Sequence, residues 1–266
     1  MTRARIVCTG ATGTIGRYLP SEVIQLRSRL EASTDEMRAE LAAVEKGIAG
    51  FIHLAAVTSV KRCEADPERA FELNVNGTRK WLHAAASVGC PRFVHASTCH
   101  VFRPTATAEW LEPGREGDAV SAYGRSKLEA EHVVFADAHV LGIEAVIARV
   151  FSLIADGMPE SFLYPALQRR ARERDFSRLP GYKNVRDFIE AADAASRLWR
   201  IASASHLDSR IFHLCTGQPK SVRTLAIEVM GQSGIGDAAT APMFPENDDA
   251  ANFLISKPSP IPQDNE

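Results

Sequence analysis

The sequence predicts an α/β fold built on a doubly wound parallel sheet, with a smaller part supplied toward the C-terminus. Three observations carry this. Short apolar runs alternate with longer runs of helical period, the pattern of strands joined by crossover helices. The first apolar run, residues 4–8, passes directly into Thr9-Gly10-Ala11-Thr12-Gly13-Thr14-Ile15-Gly16, a glycine-rich turn between a strand and a helix start. Further on, Tyr123 and Lys127 stand four residues apart at the head of a helical run that continues through Leu128, Ala130, Val133 and Val134.

Composition narrows the class. A chain of 266 residues makes one large or two small domains, and a net charge of -2 argues against a nucleic-acid partner. The longest apolar candidate for a membrane span, residues 140–155, is broken by Glu144 and Arg149, so no membrane is expected. Arg3 and Arg5 lead straight into a strand, without the apolar stretch of a signal peptide. Cys8, Cys63, Cys90, Cys99 and Cys215 are scattered and form no Cys-x-x-Cys pair. Reduced thiols in the cytoplasm fit this better than a disulfide frame, and no metal site is expected.

In chain order, the glycine turn reads as a phosphate cradle. Gly10 permits a tight turn, Gly13 lets backbone approach a pyrophosphate, and Gly16 lets the following helix pack on the sheet and offer its N–H groups. That helix is short and stops at Pro20. Residues 23–26 make a second strand, ending in Arg27-Ser28-Arg29, two cations and a hydroxyl suited to a ribose 2′-phosphate. NADP is therefore expected over NAD, although Glu31 can reach ribose hydroxyls. Residues 35–46 read as a helix with Thr34 as N-cap. Residues 51–56 form a third strand whose small end, Leu54-Ala55-Ala56, lets a cofactor lie against backbone, while His53 reads as a satisfied core histidine.

A helix from Pro67 carries Asn74-Val75-Asn76-Gly77-Thr78 in its middle, poor helix formers that predict a kink or a polar contact by Asn74. Residues 92–96 form a fourth strand ending at Ser97-Thr98-Cys99-His100, where a hydroxyl can bind a carbonyl oxygen beside Tyr123. On a helix, Tyr123 and Lys127 share a face. A nearby ammonium favours the phenolate, which makes the tyrosine a usable acid/base. Residues 187–201 and 221–230 are helices flanking a strand at 210–215. From Gly231 onward Gly, Ala, Pro and Asp predominate, and 241–266 reads as a loop-like tail, mobile at its end.

Taken together, these motifs resemble the extended short-chain dehydrogenase/reductase family, in its nucleotide-sugar epimerase, dehydratase and reductase branch. The ordered set is Gly10 to Gly16, His53-Leu54-Ala55-Ala56, Asn74 to Thr78, Ser97-Thr98 with Val101-Phe102, and Tyr123-Gly124-Arg125-Ser126-Lys127. Arg149-Val150-Phe151-Ser152 and Val185-Arg186-Asp187-Phe188-Ile189 continue it. The resemblance implies a Rossmann-like domain over 1–150 to which 184–215 returns, and a substrate-binding part from 151–183 and 216–240. It implies that Thr98, Tyr123 and Lys127 are catalytic, Lys127 also binding the nicotinamide ribose and lowering the tyrosine pKa. It places Asn74 near the cofactor, with Thr98, Cys99, Ser152 and Arg186 toward the substrate, Arg186 at its phosphate. It also implies a nucleotide-sugar substrate and a homodimer formed by the helices of residues 67–86 and 123–139.

The chain departs from the family in several places. The stretch between Gly16 and Phe51 is compressed, as in dTDP-4-dehydrorhamnose reductases, which favours reduction of a 4-keto sugar by NADPH. Ser152 and Ala155-Asp156 stand where many relatives have asparagine and Gly-Pro. The arginines of residues 158–183 are either diphosphate ligands or a solvated face. Cys99-His100 occupies the place of the Asp-Glu pair of sugar dehydratases, which leaves an NAD-retaining epimerase as the first alternative. A cofactor-sensing regulator without activity is the second, and retention of Thr98, Tyr123 and Lys127 weighs against it.

Overall fold

The computed structural model describes residues 5–44, 47–246 and 250–262. In chain order, β1 (Arg5–Thr9) leads through the glycine turn to β2 (Ile24–Gln25) and α1 (Thr34–Ala42). Then come β3 (Ile48–His53), α2 (Val60–Ala65), α3 (Pro67–Phe71), a π-helical turn (Glu72–Asn76) and α4 (Gly77–Ser87). β4 (Arg92–Thr98), β5 (Trp110–Leu111), α5 (Ala122–Leu141), β6 (Glu144–Val150) and β7 (Ser152–Ile154) follow. The chain continues with α6 (Leu163–Glu173), β8 (Val185–Arg186), β9 (Phe188–Glu190), α7 (Ala191–Ser203) and β10 (Ile211–Leu214). It closes with β11 (Lys220–Ser221), α8 (Val222–Gln232), α9 (Asp237–Thr240) and β12 (Phe253–Ser256). Among the described residues, no helix is long and apolar enough to cross a membrane.

Six strands form one parallel sheet in the order β10-β6-β4-β3-β1-β2. Successive strand residues face opposite sides, so each buried strand serves two cores. Phe51, Phe93 and Ile147 pack with Leu41 of α1, Trp81 and Leu82 of α4, and Val134 of α5. Their neighbours Ile52, Val94 and Val146, with Ile6 and Cys8, face Leu198, Ile201 and Ala202 of α7. A separate core joins Leu167 of α6 to Leu225, Ala226 and Val229 of α8, with Tyr182, Phe188 and Met243.

Four features depart from the sequence reading. The glycine turn is followed by a single 3-10 turn, Gly16–Tyr18, not by an α-helix. Leu19 precedes Pro20 and is extended (φ -66, ψ 149), the conformation that proline imposes on the residue before it. The face that a first helix would cover is taken by α7, which approaches so closely that a Cβ on Gly50 would lie 2.5 Å from the Ala202 carbonyl oxygen. The N-cap of α1 is Ser33, not Thr34: its hydroxyl accepts the Glu36 N–H at 3.2 Å and the Glu36 carboxylate accepts the Ser33 N–H at 2.8 Å. The helix ends at Ala42, and the last positions expected of it, Glu45 and Lys46, lie outside the described residues. The helix expected over 187–201 begins only at Ala191, because Phe188–Glu190 pairs with β7 as a strand.

The fourth departure is the tail. Residues 241–266 are not loop-like throughout, since β12 inserts between β8 and β5 in a sheet ordered β11-β8-β12-β5. Leu254 and Ile255 are each only 2% exposed. Its partners come from distant parts of the chain, so local Pro and Asp content concealed it. The mobile end expected beyond it includes 263–266, which lie outside the described residues.

Candidate active site

The site is assembled at the carboxyl ends of the parallel strands. Gly10 has φ +70, and a Cβ there would sit 2.8 Å from the Ala55 nitrogen and 2.9 Å from the Leu54 carbonyl carbon. A Cβ on Gly16 would meet Ala11 and the Gly10 oxygen at 2.5 Å. Both positions therefore demand glycine. Gly13 N–H donates to the Gly10 oxygen at 3.0 Å and closes the turn, leaving Thr12 and Gly13 exposed at its tip and Thr14 and Ile15 half-buried. Leu54, Ala55 and Ala56 run alongside, half-buried. This small-residue cradle fits a dinucleotide pyrophosphate. One expected contribution is missing: a three-residue turn aligns too few peptide dipoles to act as the positive end of a helix.

At the carboxyl end of β2, the Glu40 carboxylate accepts the backbone N–H groups of Arg27 (2.5 Å) and Ser28 (3.0 Å). This fixes the turn and leaves the Arg27 and Arg29 side chains exposed. Glu31 is engaged by Arg69 at 2.7 Å. The kink expected at Asn74 is the π turn, which aims its amide at a neighbouring strand end. Asn74 Oδ1 accepts the Val57 N–H at 2.8 Å, and Nδ2 donates to the Val57 oxygen and to Ser126 Oγ, each at 3.0 Å. His53 is the satisfied core histidine expected, with Thr9 Oγ1 at 2.8 Å and Thr78 Oγ1 at 3.0 Å.

Thr98 ends β4, and its hydroxyl accepts the His100 N–H at 3.2 Å. The same hydroxyl lies close enough to Tyr123 to act on its phenol. α5 begins at Ala122 because Ser121 Oγ accepts the Gly124 N–H at 3.0 Å. Gly124 must be glycine, since a Cβ would collide with the His100 carbonyl oxygen. Tyr123 is buried, and burial pushes its phenol well above the ordinary range; the neighbouring Thr98 hydroxyl opposes this and Cys99 and Cys63 add to it. The direction is the reverse of the lowered phenol expected from Lys127. That lysine, one turn along and 2% exposed, is itself pushed down to about 7 by burial, with Glu131 opposing.

Beneath this pair lies a buried polar layer that sequence reasoning missed. Arg149 pairs with Glu131 at 2.7 Å, both almost fully buried, and donates to the Pro113 oxygen at 3.0 Å. Its guanidinium carbon lies 4.8 Å from the Phe102 ring centroid. The Ser97 hydroxyl donates to the same carboxylate of Glu131. The one local signal was Glu131, four residues beyond Lys127 on the same helix face.

Cys99 is buried beside Thr98, and burial pushes its thiol up to about 12, the nearby Arg186 opposing. Arg186 is held by the tail: Nη1 donates to the Asn252 oxygen at 3.0 Å and Nη2 to Asn252 Oδ1 at 2.6 Å. Ser152 is half-buried, and its N–H donates to the Asp187 oxygen at 3.0 Å. The arginines of α6 are spent locally. Arg169 pairs with Glu173 at 2.9 Å, and Arg170 donates to the Ser177 oxygen at 2.8 Å. Thr98, Cys99, Tyr123, Lys127 and Arg186 thus gather at one edge of the sheet, with Asn74 joined to them through Ser126.

Comparison with known proteins adds to this geometry. The NAD dependent epimerase/dehydratase family matches residues 6–215. A dTDP-4-dehydrorhamnose reductase of Mycolicibacterium smegmatis is 35% identical over 150 residues, 52% of this chain and 44% of that protein. The chain spans less than two thirds of the length of the curated relatives it matches first. Among solved structures, UDP-glucose 4-epimerase of Thermus thermophilus in complex with NAD has a TM-score of 0.78 at 20% identity, covering 96% of this chain and 90% of that one. RMD from Pseudomonas aeruginosa complexed with NADPH has a TM-score of 0.74 at 21% identity, covering 96% and 88%. These two likenesses establish the shared fold. With a family match that runs from β1 to just past β10, the chain belongs to the NAD dependent epimerase/dehydratase family.

Proposed function

We propose that the chain is an NAD(P)-dependent oxidoreductase acting on a nucleotide-activated sugar, and that it reduces a 4-keto sugar with NADPH. The observation that carries this reading is the buried Thr98–Tyr123 hydroxyl pair with Lys127 one turn away. Bound nicotinamide supplies the hydride. Thr98 holds the ketone oxygen, and Tyr123 gives it a proton. A phenol whose pKa is raised remains protonated at neutral pH, as a proton donor must. The burial that raises the phenol also raises the carbinol, so the ketone oxygen can take the phenol's proton as it gains negative charge on reduction. Lys127, Asn74 and the Gly10–Gly16 turn hold the cofactor against Leu54, Ala55 and Ala56. The exposed Arg27 and Arg29, with Ser28 between them, favour the 2′-phosphate of NADP, while Arg69 occupies Glu31. Arg186, Cys99 and Ser152 face the sugar nucleotide.

The second reading is an NAD-retaining epimerase, favoured by the likeness to a UDP-glucose 4-epimerase that holds NAD. Titration with NADPH and with NADH, read by nicotinamide fluorescence, separates the two. Preference for NADPH, followed by its net oxidation with a 4-keto sugar nucleotide, supports reduction. Preference for NADH, or protein purified with NAD attached, supports epimerisation. Tyr123→Phe is expected to lower turnover about a hundredfold or more with nearly unchanged cofactor affinity. A Phe variant that kept most of its activity would remove Tyr123 from the mechanism.

A further inference from the structure

The glycine turn has the shape of a pyrophosphate cradle but lacks the helix that normally makes such a turn electropositive. A helix of several turns contributes the equivalent of about half a positive charge at its N-terminus. Here only the 3-10 turn Gly16–Tyr18 follows. A cation is placed where that charge is missing. Arg17 lies on this turn, exposed, and its side chain folds back along the glycine segment, with Nε 3.4 Å from the Thr14 oxygen. The guanidinium then reaches across to the connection between β7 and α6. Its Nη1 lies 3.0 Å, and its carbon 3.9 Å, from where a Cβ on Gly157 would be.

Arg17 makes few other interactions. Its guanidinium carbon stands 5.6 Å from the Tyr18 ring centroid, and among the described residues no carboxylate pairs with it. The nearest acidic neighbour in sequence to Gly157, Asp156, accepts a hydrogen bond from Gln168 of α6 at 3.2 Å. Arg17 therefore keeps a full unit charge and most of its N–H donors for a ligand. A guanidinium matches the oxygen geometry of phosphate better than an ammonium does.

We infer that Arg17 is the positive end of the dinucleotide site, holding the cofactor pyrophosphate from the side in place of the missing helix. The inference rests on the dinucleotide reading above. Because Arg17 also touches Gly157, cofactor and sugar-side segment share one contact. The same guanidinium that meets the pyrophosphate lies against the backbone leading into α6.

The test is a binding titration. Wild type, Arg17→Ala, Arg17→Lys and Arg17→Glu are titrated with NADPH and NADH by nicotinamide fluorescence, over a range of salt concentrations. Arg210→Ala is the charge control, an arginine at the amino end of β10 paired with Glu144 at 3.1 Å. Removing a charge-assisted phosphate contact is expected to weaken binding about tenfold or more in Arg17→Ala and further in Arg17→Glu. Arg17→Lys should recover part of the loss, and the salt dependence of Arg17→Ala should be shallower than that of wild type. Arg210→Ala should bind as wild type does, and thermal midpoints should not move, since Arg17 is exposed. Wild-type affinity in Arg17→Ala would overturn the inference while leaving the dinucleotide reading intact. Wild type that binds neither nucleotide would overturn both.

Discussion

Two histidines lie across from each other in the register of β3 and β4, stacked with ring centroids 5.7 Å apart and fully buried. His53 has a hydroxyl on each ring nitrogen, whereas neither nitrogen of His95 meets a protein partner. A buried polar group without a partner costs about 1–3 kcal/mol, so His95→Phe should leave stability unchanged or raise it. His53→Phe should lower it by a similar amount, because Thr9 and Thr78 lose their partner. Urea unfolding of the two variants reads the difference. Glu131→Gln leaves Arg149 a buried charge without its counter-ion, and a loss of about 3–5 kcal/mol is expected in the same measurement. Such pairs were not legible in the sequence. Ser97 and Arg149 face each other in the β4–β6 register, and Glu131 comes down on both from α5. By contrast, Tyr123 and Lys127, like Gly10 and Gly16, could be read because their geometry is set by spacing along one stretch of chain.

Elements were legible where a local period decides them and hidden where partners are remote. Five strands of the large sheet and the helices α1, α4, α5 and α8 stand close to where apolar periodicity put them, whereas β6, within an apolar run broken by Glu144 and Arg149, was not singled out. The missing first helix was visible only in part, as an early stop at Pro20. What replaces it could not be foreseen, because α7 comes from far along the chain. Gly50 registers that replacement: a larger side chain would drive α7 off β3, and Gly50→Val should cost about 1–3 kcal/mol in urea unfolding. β12 was hidden for the same reason. Placing a charge in it, as in Ile255→Asp, should loosen the hold of Asn252 on Arg186 and open the small sheet. Limited proteolysis is then expected to cut the tail at protease levels that leave the wild type whole.

At the scale of the whole molecule, burial of basic groups sets the response to pH. Burial lowers His53 and His213 to about 3, the latter aided by Arg149, and lowers His95 as well. The unfolded chain therefore binds more protons than the folded one below pH of about 6.5. Stability is full above that value and is lost as pH falls toward 3. Lys127 acts likewise at higher pH: with a folded value of about 7 and an unfolded one of about 10.4, its burial penalty is full below 7 and fades as pH rises. Urea midpoints should thus fall from pH 7 to pH 5, and fall less in His95→Phe, which has one fewer proton to take up. They should rise from pH 7 to pH 9 in wild type but less in Lys127→Met.

The borrowed cover of the sheet also sets an order of events during synthesis. A ribosome releases β1 and β3, with Ile6, Cys8 and Ile52 on one face, long before it has made α7, the helix against which that face is buried. Domains commonly fold as their N-terminal parts emerge. Here the nascent N-terminal strands must wait with an apolar surface open, and a fragment ending before Ala191 has nothing to close it. Such a fragment should be soluble only with a chaperone bound, and the chain should acquire its protection late and all at once.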